Sequence, residues 1–173
     1  MCLRFLMLTA VRSGAARGAR FSEINGRVLT VPKERVKSTL RAAAEFRVPL
    51  SAQALAIIER ARETSSDPDG GLIFPGQLDS EITQNALLNV LNDMGEAGRP
   101  HGFRTSFRTW VQDTLDGSHD LAAEAALGHV IGGAVRRAYA RSDMLDARAM
   151  LMQRWADYVT GEAAQVVPLR SGQ

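Results

Sequence analysis

Apolar residues recur at helical spacing along most of the chain, and two short extended runs interrupt them in its first third. Leu3, Phe5, Leu6, Leu8 and Val11 predict a buried first helix that closes near Ser13-Gly14, with Arg12 at its exit. "GRVLTVP" and "FRVPL" are short β-type runs, each closed by a proline, with the basic segment "KERVKSTLR" between them. Together they predict a small sheet, with Lys37 on or beside a turn. Ser51 has the side chain and position of an N-cap for "AQALAIIERARE", where Leu55, Ile58 and Ala61 recur on one face. "TSSDPDGG" reads as a loop and "LIFPG" as an extended piece ending in a turn. Ser80 or Thr83 then opens a helix carrying Ala86, Leu87, Val90, Leu91 and Met94. From Phe103 onward the pattern predicts helices over 103–115, 120–127, 133–140 and 145–159, followed by an irregular tail. No internal repeat or low-complexity stretch is visible.

Composition narrows this picture. At 173 residues the chain fits one domain, and 45% hydrophobic with 23% charged residues is an ordinary globular balance. The single cysteine, Cys2, rules out an internal disulfide and a multi-cysteine zinc site, which fits a reducing compartment. No segment approaches the ~20 apolar residues that cross a bilayer, so no membrane partner is expected. The start, "MCLRFLMLTAVRSGAARGAR", is basic, but its apolar run is short for a targeting peptide and reads as the first helix. Net charge is only +2, yet every basic residue except Lys33 and Lys37 is an arginine. Arginine's planar fork pairs bidentately with phosphate, which points to a nucleic-acid partner; a GC-rich coding sequence would enrich arginine equally well.

The chemistry concentrates in two segments, "RPHGFRTSFRTW" and "LGHVIGGAVRRAYARSD", which hold two of the three histidines, a run of arginines and Tyr139. Transesterification of a phosphodiester needs a nucleophile, fixed cations for the charge growing on the non-bridging oxygens, and an acid for the leaving oxygen. Tyr139 can attack, Arg12 and Arg104 can clamp, Lys37 can act as the acid, and His101 and His129 can donate and move protons. His101 and Arg104 stand at i and i+3, so one helix face presents both while Phe103 and Phe107 turn to the core. Gly132-Gly133 between His129 and Tyr139 lets a helix end, turn and restart. Lys33, four residues from Lys37, competes for the same role. His119 reads as a surface residue and Tyr158 as a packing residue. The histidines lack the short-range pairing of a zinc site, and no Gly-x-Ser-x-Gly elbow is present.

Taken in order, "TAVRSG", "RVKST…RVPLS", "RPHGFRTSFRTW", "ALGHVIGGAVRRAYARSD" and "LMQRWADYV" resemble the catalytic domain of tyrosine recombinases, in particular phage-type and genomic-island integrases. The resemblance runs from about residue 3 to about residue 160. It implies an α+β, mostly α-helical fold with a small antiparallel β-sheet, a catalytic domain over 1–160 and an irregular tail over 161–173. It assigns the first catalytic arginine to Arg12, the hairpin lysine to Lys37, the His-x-x-Arg pair to His101 and Arg104, the second histidine to His129 and the nucleophile to Tyr139. The implied reaction is site-specific recombination or integration through a 3′-phosphotyrosyl intermediate, with neither metal nor nucleotide cofactor. The implied partners are double-stranded DNA and, on it, further copies or a full-length integrase, in the cytoplasm at the nucleoid.

Two departures stand out. Where the family usually reads Arg-Ser-Gly-Glu this chain has Ala15 in the last place, and the family's N-terminal DNA-binding domain is expected to be absent. They motivate the alternative of a non-catalytic DNA-binding or decoy remnant. A type IB topoisomerase-like relaxase uses similar residues.

Overall fold

The computed structural model describes residues 1–36, 44–129 and 143–162. Its helices are α1 (Cys2–Thr9), α2 (Ser13–Arg17), α3 (Ala52–Arg62), α4 (Gln84–Asp93), α5 (Gly102–Thr114), α6 (Asp120–Ala126) and α7 (Leu145–Thr160). Strands β1 (Ile24–Asn25), β2 (Val28–Val31) and β3 (Phe46–Pro49) form an antiparallel sheet in the order β1-β2-β3. This is the α+β, mostly helical architecture expected. The expected helix over 133–140 and the tail beyond 162 lie outside the described residues.

Local signals account for several boundaries. The Ser51 hydroxyl accepts from Ala54 N–H at 3.2 Å and opens α3; the Thr83 hydroxyl does the same for Ala86 N–H at 3.2 Å and opens α4. Thr83, not Ser80, is therefore the cap. In β2, Leu29 and Val31 are buried while Val28 and Thr30 are half-buried, the alternation of a strand with one covered face. β1 goes beyond the expected pair of strands. It is only two residues long, and Gly26-Arg27, with Gly26 at φ +56°, turns it into β2 as a two-residue hairpin.

α1 corrects one expectation. It stops at Thr9, not near Ser13-Gly14, because Ala10 adopts the left-handed conformation with φ 49°. Such a residue costs about 1–2 kcal/mol when it carries a Cβ. A buried hydrogen bond from Arg104 to the Ala10 carbonyl, at 2.7 Å, offsets that cost. The reversal frees Arg12 to stand as N-cap of α2, where Ser13 and Gly14 begin a helix rather than end one.

Two apolar cores lie side by side. The first joins α1, the covered face of the sheet, α3 and α4 around Phe5, Leu6, Leu29, Ile58, Ile73 and Leu87. The second joins α5, α6 and α7 around Phe107, Trp110, Val111, Ala123, Leu151 and Trp155. Trp155 Nε1–H donates to the Met7 carbonyl at 2.8 Å and ties α7 to α1. Tyr158 stacks 5.7 Å from both Trp110 and Trp155, the packing role expected, although its outer side is open to solvent. No helix among the described residues is long and apolar enough to cross a membrane.

Arg148, on the first turn of α7, is 2% exposed. Its guanidinium lies 4.9 Å above the Phe46 ring and donates to the backbone carbonyls of Arg47 and Asp143. Burial pulls its pKa down to about 10, with the nearby Asp143 carboxylate opposing the shift. Arg148→Ala orphans two carbonyls and opens a cavity, so it is expected to lower stability by about 2–5 kcal/mol in urea denaturation. Arg148→Met, which keeps the volume, should lose clearly less; equal losses would mean that the hydrogen bonds, not the packing, carry the effect.

Candidate active site

The site forms on the seam between the two cores. α5 turns Arg104, Phe107 and Val111 inward at i, i+3 and i+7, so Arg104 is carried into the protein by the same face that packs the second core. Only 5% of Arg104 is exposed. Nη1 donates to the Ala10 carbonyl at 2.7 Å and Nη2 to the Leu127 carbonyl at 2.6 Å. These two bonds aim the fork by joining the end of α1 to the end of α6. Burial lowers the Arg104 pKa to about 10; the positive charge of Arg12 acts in the same direction and the Glu124 carboxylate against it. The group stays cationic at neutral pH.

His129 completes this corner. Its Nε2 lies 3.4 Å from Arg104 Nη2, and its Nδ1 lies 2.7 Å from Glu124 Oε2. The preceding residue, Gly128, has φ +62°, and a Cβ there would sit 3.5 Å from the Phe46 ring and 3.7 Å from Arg12 Nη1. Those are ordinary contact distances, so it is the backbone conformation, not space, that calls for glycine here.

Arg12, whose charge acts on Arg104, also lines a cleft of about 490 Å³ together with Ala15, Arg17, Arg35, Arg99 and His101 among others. Arg17 is held by Glu81 at 2.8 Å, and Arg35 by Glu23. Arg12 and Arg99 have no carboxylate partner among the described residues, so the cleft presents uncompensated positive charge to an anion. Clustered guanidiniums beside histidines suit a phosphate whose charge grows during reaction.

The integrase of Enterobacteria phage P4 is 32% identical to this chain over 176 residues, covering 92% of the chain and 39% of that protein. The prophage integrase IntA of Escherichia coli (strain K12) is 36% identical over 160 residues, covering 88% and 37%. The integrase of Shigella phage Sf6 is 28% identical over 165 residues, covering 90% and 40%. The chain is related to the phage integrases. It spans about two fifths of the length of the curated relatives it matches. No protein-family model matches it, and no solved structure matches it significantly.

Of the six residues expected from the resemblance to integrases, three meet: Arg12, Arg104 and His129. His101 stands at the N-terminus of α5, one turn before Arg104, and shares the cleft with Arg12. Lys37 and Tyr139 lie outside the described residues, as do Gly132, Gly133, Arg136, Arg137 and Arg141. The competing Lys33 is exposed on a 3-10 turn. His119 pairs with Asp116 at 3.1 Å and takes no part in the cleft. Glu23, the acid nearest in sequence after Ala15, bonds Arg35 and the Arg20 N–H and does not reach Arg12.

Sequence reasoning missed Glu124, Arg108 and Arg148. Arg108 lies one helical turn beyond Arg104 on α5 and bonds Glu124 Oε1 and Asp120 Oδ1, both at 2.9 Å. A glycine followed by histidine after the alanine-rich segment 121–126 was the available signal for a helix end that folds the histidine back onto its own last turn.

Proposed function

We propose that this chain is the strand-transfer unit of a site-specific DNA recombinase or integrase, with residues 1–160 as the catalytic domain and double-stranded DNA as its substrate. The observation that carries the reading is the buried Arg104, aimed by two backbone carbonyls and flanked by His129 and by Arg12, which lines a cationic cleft. A relationship to phage integrases over about nine tenths of the chain supports it.

In this reading Tyr139 Oη attacks a DNA phosphorus. The Oη–P bond forms as the bond from phosphorus to the 5′ oxygen breaks; the phenolic proton passes to His129, and the departing oxygen takes a proton from Lys37. Arg12, Arg104 and His101 hold the non-bridging oxygens as charge accumulates on them. Attack by a 5′-hydroxyl of a partner strand reverses the step and releases the protein. One phosphodiester replaces another, so the exchange balances with neither a metal nor a nucleotide cofactor. Further copies of the chain, or a full-length integrase, assemble with it on DNA to supply that strand.

The test is incubation with a pool of nicked duplexes randomised across the cleavage region, whose short 5′-hydroxyl fragment diffuses away after attack. A covalent protein–DNA adduct mapping to Tyr139 is the expected result. An intact chain that binds the pool and traps nothing would favour a non-catalytic DNA-binding or decoy role.

Ala15 gives a further prediction. It is buried on the wall of the cleft, and Arg12 has no carboxylate to steady it among the described residues. Ala15→Glu is expected to speed adduct formation about tenfold, which corresponds to ~1.4 kcal/mol of better orientation. An unchanged rate would show that the orientation of Arg12 does not limit the reaction.

A further inference from the structure

α6 ends in a way that couples Glu124 to His129 through the backbone. Gly128 N–H donates to the Ala125 carbonyl at 3.0 Å and His129 N–H to the Glu124 carbonyl at 3.0 Å, with Gly128 in the left-handed conformation. This pair of bonds is a Schellman turn, which brings the side chains of its first and last residues together, commonly as an apolar contact. Here the two side chains are Glu124 and His129, and the contact is a hydrogen bond of 2.7 Å.

The partners decide which way that bond runs. A carboxylate accepts only and a guanidinium donates only. Glu124 Oε2 faces Nδ1 of His129, and Arg104 Nη2 faces Nε2. A neutral ring with its proton on Nδ1 satisfies both neighbours; the other tautomer would set a lone pair against the carboxylate and an N–H against the guanidinium. Glu124 is itself held from behind, since Arg108 Nε–H donates to its second oxygen at 2.9 Å while Nη1 of the same arginine bonds Asp120. α5 therefore grips the pair from both ends, with Arg104 on one side of the imidazole and Arg108 behind the carboxylate.

We infer that Glu124 is a positioning residue: braced by Arg108, it keeps the proton of neutral His129 on Nδ1 and turns the Nε2 lone pair toward the reacting groups. The ring is thereby ready to take a proton without first rotating or exchanging tautomers. The catalytic consequence rests on the recombinase reading above; the tautomer does not.

The experiment therefore has two readouts on the full chain. Long-range ¹H–¹⁵N spectra of the histidine rings, recorded at mildly alkaline pH, should give His129 a protonated Nδ1 and an unprotonated Nε2. Glu124→Ala should lose this pattern, and Glu124→Gln, whose amide oxygen still accepts, should keep it. The Glu124 side chain is 33% exposed, so its truncation leaves no sealed cavity to unfold the protein. With the nicked-duplex pool, Glu124→Ala should form adduct about 100-fold more slowly with DNA affinity changed by less than about threefold, and Glu124→Gln should recover most of the rate. A wild-type His129 protonated on Nε2, or a Glu124→Ala chain that reacts at the wild-type rate, would overturn the inference. A wild-type chain that traps no adduct would sink the recombinase reading alone, and the ring-nitrogen pattern would still decide whether Glu124 holds His129.

Discussion

Tyr139→Phe is expected to abolish the covalent protein–DNA adduct while leaving the fold and DNA binding in place. A phenol has a pKa near 10 and attacks poorly at neutral pH unless cations and a base favour loss of its proton as the new bond forms. Arg12, Arg104, His101 and His129 are the groups proposed to do this. Phenylalanine keeps the ring and removes only the attacking oxygen, so no other group inherits the role. Tyr158→Phe is the matched control. That ring stacks on Trp110 and Trp155, away from the cleft lining, and its loss of a hydroxyl should leave adduct formation unchanged. Peptide mapping of the trapped adduct checks the assignment independently, and DNA found on Tyr158 or on a serine would refute it.

Arg104→Ala is expected to cost far more in cleavage than in binding, on the order of 100- to 1,000-fold in rate with an affinity loss below about tenfold. A binding contact helps ground state and transition state alike, whereas a preorganised donor aimed at developing charge helps the second alone. In the proposed function Arg104 belongs to the latter class. Its direction is set by the Ala10 and Leu127 carbonyls before any DNA arrives, so no reorganisation is needed at the moment of reaction. The same two carbonyls are orphaned in the variant, at about 1–3 kcal/mol each, so the rate must be measured below the variant's own unfolding transition. Single-turnover adduct formation and equilibrium DNA binding, measured side by side, separate the two effects. A variant that binds tenfold worse yet cleaves normally once bound would show that Arg104 merely holds DNA.

The sequence by itself determined whatever depends on residues within one or two turns of each other. Ser51 caps α3 because a hydroxyl reaches an N–H three residues on; the same rule left Ser80 and Thr83 open for α4, and the structure selects Thr83. Phe107 announces the inner face of α5, but Arg104, expected on a separate face with His101, is buried on that inner face beside Phe107 and Val111, while His101 stays exposed. The candidate set came from residue types, their order and the resemblance to integrases; the structure brings Arg12, Arg104 and His129 together, and Lys37 and Tyr139 lie outside the described residues.

Only the tertiary structure decided which groups meet and how they are held. Arg104 finds the Ala10 carbonyl across 94 residues of sequence, and that contact accompanies the left-handed alanine that ends α1 early. No local preference predicts it, because alanine is the best helix former and would continue the helix on its own. Arg148 buries its charge through carbonyls on β3 and at the start of α7, and composition alone would have placed it on the surface. Glu124 carries no local signal in the sequence; the turn at Gly128 folds His129 back over it and Arg108 closes on it from α5. Periodicity and capping are short-range and survive in the sequence; the pairing of a buried donor with a distant acceptor depends on how two cores pack against each other, and it exists only once they have.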